Sequence, residues 1–363
     1  MRGHDDYRVR VTQPYMPDRS EYEELLEGIW DRSWLTNEGP CEVDLARALR
    51  SYFGAEHLQL ASSGTSALQL ALAALELTGD IIVTAYSFAA TRNAIIRQGC
   101  RPIYADIDPV NFALDPAAVE RAITPGTQAI LVTTSYGLPC DFDALQDIAD
   151  AHGLKTVYDH AHATGSFYRG RAIVTHGDIG ALSFHATKVF HTAEGGGVIC
   201  SDAAIDRKVR LLKSNGVDGD RLVLPGFNAK MSELHAAMGL AILPQLQNLI
   251  DARRKRFEAY AAGLASSDFD MLDPSRWDGL EWNYAYAPII CRDEETTTRT
   301  QSALADRGIE SRRYFRPAFT KREAGHAPCP VAEDIAERVL CLPLSPMLAM
   351  DDVELIASVV AYI

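Results

Sequence analysis

No stretch of this chain approaches the roughly 20 consecutive apolar residues that cross a bilayer, so a transmembrane helix is not expected. The opening residues, MRGHDDYRVRVTQPYMP, lack the apolar core of a secretory signal, and we expect a cytoplasmic protein. CxxC pairs are missing too. The seven cysteines, at 41, 100, 140, 200, 291, 329 and 341, are odd in number and scattered. That pattern speaks against a disulfide framework or a structural zinc site and for free thiols, many of them buried. Basic charge is in short supply: 35 Lys plus Arg stand against 49 Asp plus Glu, a net charge of -14. With no local basic patch, nucleic acid is excluded as a partner. Repeats and low-complexity tracts are absent. What is present is 363 residues of ordinary globular composition, 47% hydrophobic and 23% charged, a length that fits about two domains.

From 57 to 200, short apolar runs alternate with helical stretches. HLQLA precedes the helical TSALQLALAALEL, and IIVTAY precedes FAATRNAIIRQG. PIYAD, AILVTTS, a helix through DFDALQDIADAHG, KTVYD, ALSFH and GGVICS continue the series. Several runs are apolar on both faces, the mark of a mainly parallel sheet covered by helices on two sides. The fold class is α/β, and ligands are expected beyond the carboxyl ends of the strands. Near 230 the pattern becomes one long helical stretch, SELHAAMGLAILPQLQNLIDARRKRFEAYAAGLA, in which Pro244 should introduce a kink or start a second helix. We place the domain division at 250. Residues 1–250 then form a large domain with an N-terminal arm, and 251–363 a smaller α+β domain containing YAPIIC, VLCLPL and a terminal helix DDVELIASVVAYI.

Three places carry candidate chemistry. The run Ser62, Ser63, Gly64, Thr65, Ser66 joins a strand to an Ala/Leu-rich helix, where unpaired N–H groups and small residues suit a phosphate, or where a serine simply caps the helix. Asp159, in KTVYDHAHATG, ends a buried strand; a carboxylate there needs a cationic or hydrogen-bonding partner, supplied by a pyridinium nitrogen or by a following turn. His160 and His162 flank it, one a cofactor contact and the other structural. Lys188, in ALSFHATKVFHTAEGGG, lies among apolar and aromatic residues where an amine loses its proton and forms a Schiff base, and Ser183 precedes it by five positions. Their order, phosphate loop, acid, then a lysine 29 positions after the acid, matches what pyridoxal phosphate requires. The competing nucleotide loop, Gly195 to Gly197, precedes a strand instead of joining strand to helix.

At these residues the chain resembles the DegT/DnrJ/EryC1/StrS family of sugar-nucleotide aminotransferases. The carriers are WLTNEGP (34–40), SSGTSALQLAL (62–72), DIDPVNFALDP (106–116), YDHAHATG (158–165), SFHATKVFHTAEGGG (183–197), FNAKMSELHAAMGL (227–240) and RRYFRP (312–317). The resemblance implies the aspartate aminotransferase type of pyridoxal phosphate fold. It makes Lys188 the Schiff-base lysine and Asp159 the partner of the pyridine nitrogen. Gly64, Thr65 and Ser183, with Ser63 beside them, would hold the phosphate; Phe88 would stack on the ring, and His162 would lie near the ring hydroxyl. Asn228 matches an Asn that reaches the cofactor phosphate of a neighbouring subunit, which implies a homodimer with shared active sites. The chain departs from the family's Glu-Asp-Ala-Ala run with Tyr158, Asp159, His160, Ala161, His162, leaving the roles of the two histidines open. The presence of Lys188 argues against the dehydrating relatives that replace it.

The implied donor is L-glutamate and the implied acceptor a nucleotide-linked keto sugar. The motifs look most like the branch that aminates C4 of dTDP-4-keto-6-deoxyglucose. Arg312, Arg313, Tyr314 and Arg316 form an attractive oxyanion-binding segment, Arg313 and Tyr314 being the expected substrate contacts together with His185, or else a solvated basic loop. A different acceptor, such as a cyclitol ketone, and a non-catalytic protein that binds pyridoxal phosphate and a sugar nucleotide are the alternatives.

Overall fold

The computed structural model describes residues 7–363; residues 1–6 of the N-terminal stretch read above lie outside them. Two helices form the arm. The first, α1 (Arg19–Arg32), is capped by the Asp18 side chain. The second, α2 (Pro40–Phe53), starts on a proline whose missing N–H is not needed at a first turn and stops at Gly54, in the left-handed region at φ +64. The carboxylate of Glu233 accepts the N–H groups of Cys41 (2.9 Å) and Glu42 (2.8 Å), an acid at a helix N-terminus that ties the arm to the body.

The body is a seven-stranded sheet. Its first five strands in chain order are β1 (His57–Ala61), β2 (Asp80–Thr84), β3 (Arg101–Ala105), β4 (Thr127–Thr133) and β5 (Lys155–Asp159), followed by Ile179–Ser183 and Gly196–Cys200. Across the sheet the order is β1, Gly196–Cys200, Ile179–Ser183, β5, β4, β2, β3. Only Gly196–Cys200 runs against its neighbours; the other pairings are parallel. β2 and the strands Ile179–Ser183 and Gly196–Cys200 are buried at every residue, as expected of a sheet covered on both faces. This is the α/β sheet read from the sequence. Two helices matter for the site: α3 (Gly64–Ala74), after β1, and α4 (Ala89–Arg97), after β2.

Pro244 does start a new helix. Glu233–Ile242 ends, Leu243–Gln245 makes a tight turn in which the proline needs no N–H, and Leu246–Leu264 follows. The division at 250 read from the sequence falls inside this last helix. Its buried stripe of Leu246, Leu249, Ile250, Arg253, Phe257, Tyr260 and Leu264 recurs at three- and four-residue steps, and the helix packs on the terminal helix Met350–Ala361. Beside them lies an antiparallel three-stranded sheet in the order Asp270–Met271, Ala287–Ile290, Val339–Leu342. All seven cysteines are free and buried. Among the described residues no helix is long and apolar enough to cross a membrane.

Candidate active site

A cavity of about 290 Å³ opens at the carboxyl ends of the central strands. Ser63 to Thr65 follow β1, Ser87 and Phe88 follow β2, and Thr133, Asp159 and Ser183 end their strands, so the sheet delivers every one of them to the same edge. Lys188 and His185 come from the next loop; Tyr286, Arg312, Tyr314 and Phe315 close the cavity from the side of the small sheet.

Ser63 proves to be the cap of α3. Its hydroxyl accepts the Ser66 N–H at 3.1 Å, and Ser66 Oγ accepts the Ser63 N–H at 3.0 Å. The N–H groups of Gly64 and Thr65, at the first two helical positions, have no acceptor within the helix and form its positive end. Gly64 also has to be glycine: an added Cβ would sit 2.7 Å from Ser183 Cβ and 2.9 Å from its Oγ. Cap and anion cradle are therefore built from different atoms of one loop.

Asp159 is buried at the end of β5. Thr91 Oγ1 donates to its Oδ2 at 2.6 Å and the Ala161 N–H to its Oδ1 at 3.1 Å. Burial pushes its carboxyl above the usual range, and the Thr91 and Ala161 hydrogen bonds and the Lys188 charge oppose that rise. Lys188 lies partly buried at the wall with Nζ 3.5 Å from Tyr286 Oη and 6.0 Å from the Tyr286 ring centre. Desolvation pulls its amine down to about 8, against the pull of Asp159 in the other direction.

The two histidines separate. His160 does not line the cavity; its N–H donates to Ala181 O at 2.8 Å, its ring stacks on Tyr158 at 5.1 Å, and burial takes it down to about 3. His162 lines the cavity, and the Tyr136 N–H donates to its Nδ1 at 3.1 Å. Burial and then the Lys188 charge hold it well below the usual histidine range, so it is neutral with its proton on Nε2.

Phe88 stands at the rim as an apolar ring that is 60% exposed. His185 is half exposed at the mouth, with Nδ1 accepting the Thr187 N–H at 3.2 Å and Nε2 3.7 Å from Glu194 Oε1. Arg313 is not in the cleft, which corrects the sequence reading. Arg312 pairs in extended conformation with Cys341, through N–H to O at 3.2 Å and O to N–H at 2.7 Å, and neighbours on an extended segment point to opposite sides. Arg313 is thereby turned onto helix Glu294–Ala305, donating to Thr298 Oγ1 at 2.8 Å and pairing with Glu294 at 3.4 Å. Arg316 also pairs with Glu294. Arg312 enters the cavity instead, with Glu310 Oε1 accepting from its Nε at 2.9 Å and Tyr314 Oη from its Nη1 at 3.2 Å. Asn228 is exposed outside its own chain's cavity, accepting from Lys230 Nζ at 2.8 Å. Tyr286 and Thr91 were passed over in the sequence. Thr91 reads there as one more helical residue, and Tyr286 lies 98 residues from Lys188.

Comparisons with known proteins agree with this geometry. Residues 17–361 match the DegT/DnrJ/EryC1/StrS aminotransferase family. The chain is 38% identical over 362 residues, 97% of this chain and 98% of the relative, to a dTDP-4-amino-4,6-dideoxy-D-glucose transaminase of Shigella dysenteriae. It is 36% identical over 351 residues, 94% of each chain, to the enzyme of the same name from Escherichia coli. Among solved structures, DesI with its TDP-sugar product superposes with a TM-score of 0.93 at 36% identity, covering 98% of this chain and 92% of that one. The cofactor is pyridoxal phosphate, and the residues fit it: a buried carboxylate short of cationic compensation, a glycine-lined helix N-terminus and an amine of lowered pKa meet in one cavity. With that site and a match spanning nearly its whole length, the chain belongs to the DegT/DnrJ/EryC1/StrS aminotransferase family.

Proposed function

We propose that this aminotransferase moves the amino group of L-glutamate to C4 of dTDP-4-keto-6-deoxyglucose, giving dTDP-4-amino-4,6-dideoxyglucose. The observation that carries the chemistry is the meeting of Lys188, Asp159 and the α3 N-terminus in one cavity. The acceptor rests on the two relatives of that name and on DesI, whose structure was determined in the presence of its TDP-sugar product.

Bound here, pyridoxal phosphate supplies an electron sink that lets the donor's α-carbon lose a proton. Lys188 would hold it through Nζ, and the same nitrogen would carry the proton at the donor's α-carbon. Gly64 and Thr65 N–H groups with the Thr65 and Ser183 hydroxyls hold the phosphate. Asp159 would keep the pyridine nitrogen protonated, Phe88 would cover the ring, and His162 would donate from Nε2 toward the ring oxygen. Arg312, Tyr314 and His185 receive the anionic and sugar parts of the substrates at the mouth.

Two chains complete the site in this reading. Asn228 of the partner subunit reaches the cofactor phosphate. In its support, Asn228 is exposed beside the hairpin Val217–Asp218 and Arg221–Leu222, where Leu222 is 77% and Val223 54% exposed, apolar surface that a second copy would cover. We place the enzyme in the cytoplasm.

The test is absorption of the loaded enzyme before and after L-glutamate, then a panel of keto acceptors: the dTDP-4-keto-6-deoxy sugar, its UDP and GDP counterparts, and a keto cyclitol. Glutamate is expected to bleach the visible band, and the dTDP acceptor to be preferred by roughly 10²-fold in kcat/KM over the cyclitol. Preference for another acceptor removes the substrate assignment; a band unmoved by every amino donor removes the transaminase reading. The amine at about 8 gives a second expectation. Only neutral amine attacks, so reloading of apoprotein should quicken about tenfold per unit up to pH 8 and level off above it. Stopped-flow absorption between pH 6 and 10 checks this, and a rate still climbing past pH 9.5 contradicts it.

A further inference from the structure

Asp159 is held by more than its immediate donors. Thr91 Oγ1 is 2.6 Å from Asp159 Oδ2, Ser87 Oγ is 2.8 Å from Thr91 Oγ1, and Thr133 Oγ1 is 2.9 Å from Ser87 Oγ. All four residues are buried, Thr91 fully. Each hydroxyl has one proton to give, and an ionised carboxylate only accepts. The Thr91 proton is therefore committed to Asp159, which makes Ser87 the donor to Thr91. The Ser87 proton is then committed in turn, and Thr133 becomes the donor to Ser87. The direction of all three hydrogen bonds is set by the charge at one end, and bonds so aligned polarise one another.

We propose that the row Thr133, Ser87, Thr91 is a positioning device that keeps Asp159 ionised and aimed at the pyridine nitrogen, Thr91 acting on it directly and the other two through Thr91. The inference rests on the reading of Asp159 as partner of that nitrogen. The need for such a device follows from the surroundings. Burial alone favours a neutral Asp159; Lys188, the cation that opposes it among the described residues, loses its charge whenever its amine is neutral. Thr91 and the Ala161 N–H then remain as its stabilising contacts. The row also joins three strand ends. Thr133 is the register partner of Asp159 across β4 and β5, and Ser87 precedes Phe88 in the loop after β2, so the stacking ring and the acid are held to one hydrogen-bonded frame.

The test compares apoprotein variants Thr91→Val, Thr91→Ser, Ser87→Ala and Asp159→Asn by two readouts, the pyridoxal phosphate Kd from fluorescence titration and the pH midpoint of the bound cofactor's visible band. Thr91→Val keeps the shape and is expected to weaken binding on the order of tenfold. It should also raise the midpoint by roughly half a pH unit, because a ring with less positive charge holds neighbouring protons more firmly. Ser87→Ala should move both readouts the same way but less, by about threefold in Kd. Thr91→Ser, which restores the donor, should return both to wild-type values. If Thr91→Val equals wild type in both while Asp159→Asn does not, the row is only packing and the proposal fails, with the role of Asp159 intact. If Asp159→Asn also equals wild type, the role of Asp159 falls with it. Should Thr91→Val not fold, Ser87→Ala decides, and wild-type values there overturn the directional row.

Discussion

Replacing Lys188 by alanine is expected to leave a folded protein that still takes up pyridoxal phosphate and transfers no amino group, the donor half-reaction being slowed by roughly 10⁴-fold. The side chain projects into the cavity and makes a single polar contact, 3.5 Å to Tyr286 Oη, so its loss opens space and takes a partner from a hydroxyl that lines the same cavity. What disappears is the nucleophile and the proton carrier together, since both tasks fall to one nitrogen. The phosphate cradle and the hydrogen bonds onto Asp159 are untouched, which is why binding should survive. Lys188→Arg should be as inactive, because a guanidinium stays protonated and cannot attack. Small primary amines added to Lys188→Ala should restore a measurable part of the rate; absorption and single-turnover kinetics with L-glutamate read all of this. Turnover within tenfold of wild type in Lys188→Ala would remove the lysine from the mechanism.

The second large effect is expected at Asp159. Asp159→Asn preserves volume and removes the charge, and we expect the donor half-reaction to fall by about 10² to 10³-fold, in line with the loss of a preorganised charge in a water-poor site. The hydrogen-bond pattern makes asparagine a poor substitute for a second reason. Both existing partners, the Thr91 hydroxyl and the Ala161 N–H, donate to Asp159, while an amide offers one acceptor and one donor. Whichever way it turns, its NH₂ meets a donor; Thr91 can rotate its proton away, and the Ala161 N–H cannot. The amide oxygen should therefore face Ala161 and the pyridine nitrogen should lose its anion. Stopped-flow kinetics with L-glutamate, alongside a thermal melt to show that the variant folds, checks the size of the loss. A decrease of less than threefold would mean that the ring needs no acid here.

Much of the site was legible because its parts sit at the ends of regular elements. A Ser-Ser-Gly-Thr-Ser run between an apolar strand and an Ala/Leu helix reads as a helix N-terminus wherever the chain folds. Asp159 and Ser183 close five-residue strands whose apolar runs mark them plainly, and the parallel sheet sends both to one edge. Local sequence left open whether Ser63 caps the helix or binds phosphate. The structure divides the tasks, with the side chain capping and the following N–H groups free for an anion.

Residues outside regular elements were not legible in the same way. Arg312 and Arg313 are equal as side chains, and only the pairing of Arg312 with Cys341, far along the chain, decides which faces the cleft. His160 and His162 differ by two positions, yet the first continues the sheet through Ala181 O and is turned away, while the second lies in the turn and receives the Tyr136 N–H. Short-range pattern holds no record of those partners.

The amino-acid sequence by itself determined the α/β order of elements and the pyridoxal phosphate chemistry and singled out Lys188 and Asp159 as candidates, because strand ends, helix caps and an amine among apolar residues are local features. Tertiary structure alone decided which arginine and which histidine line the cavity, that Tyr286 stands at the lysine, and that the hydroxyls of Thr133, Ser87 and Thr91 line up beside Asp159. Those depend on contacts between segments dozens of residues apart and up to 98, where the orientation of a side chain follows from packing and pairing that no run of neighbouring residues encodes.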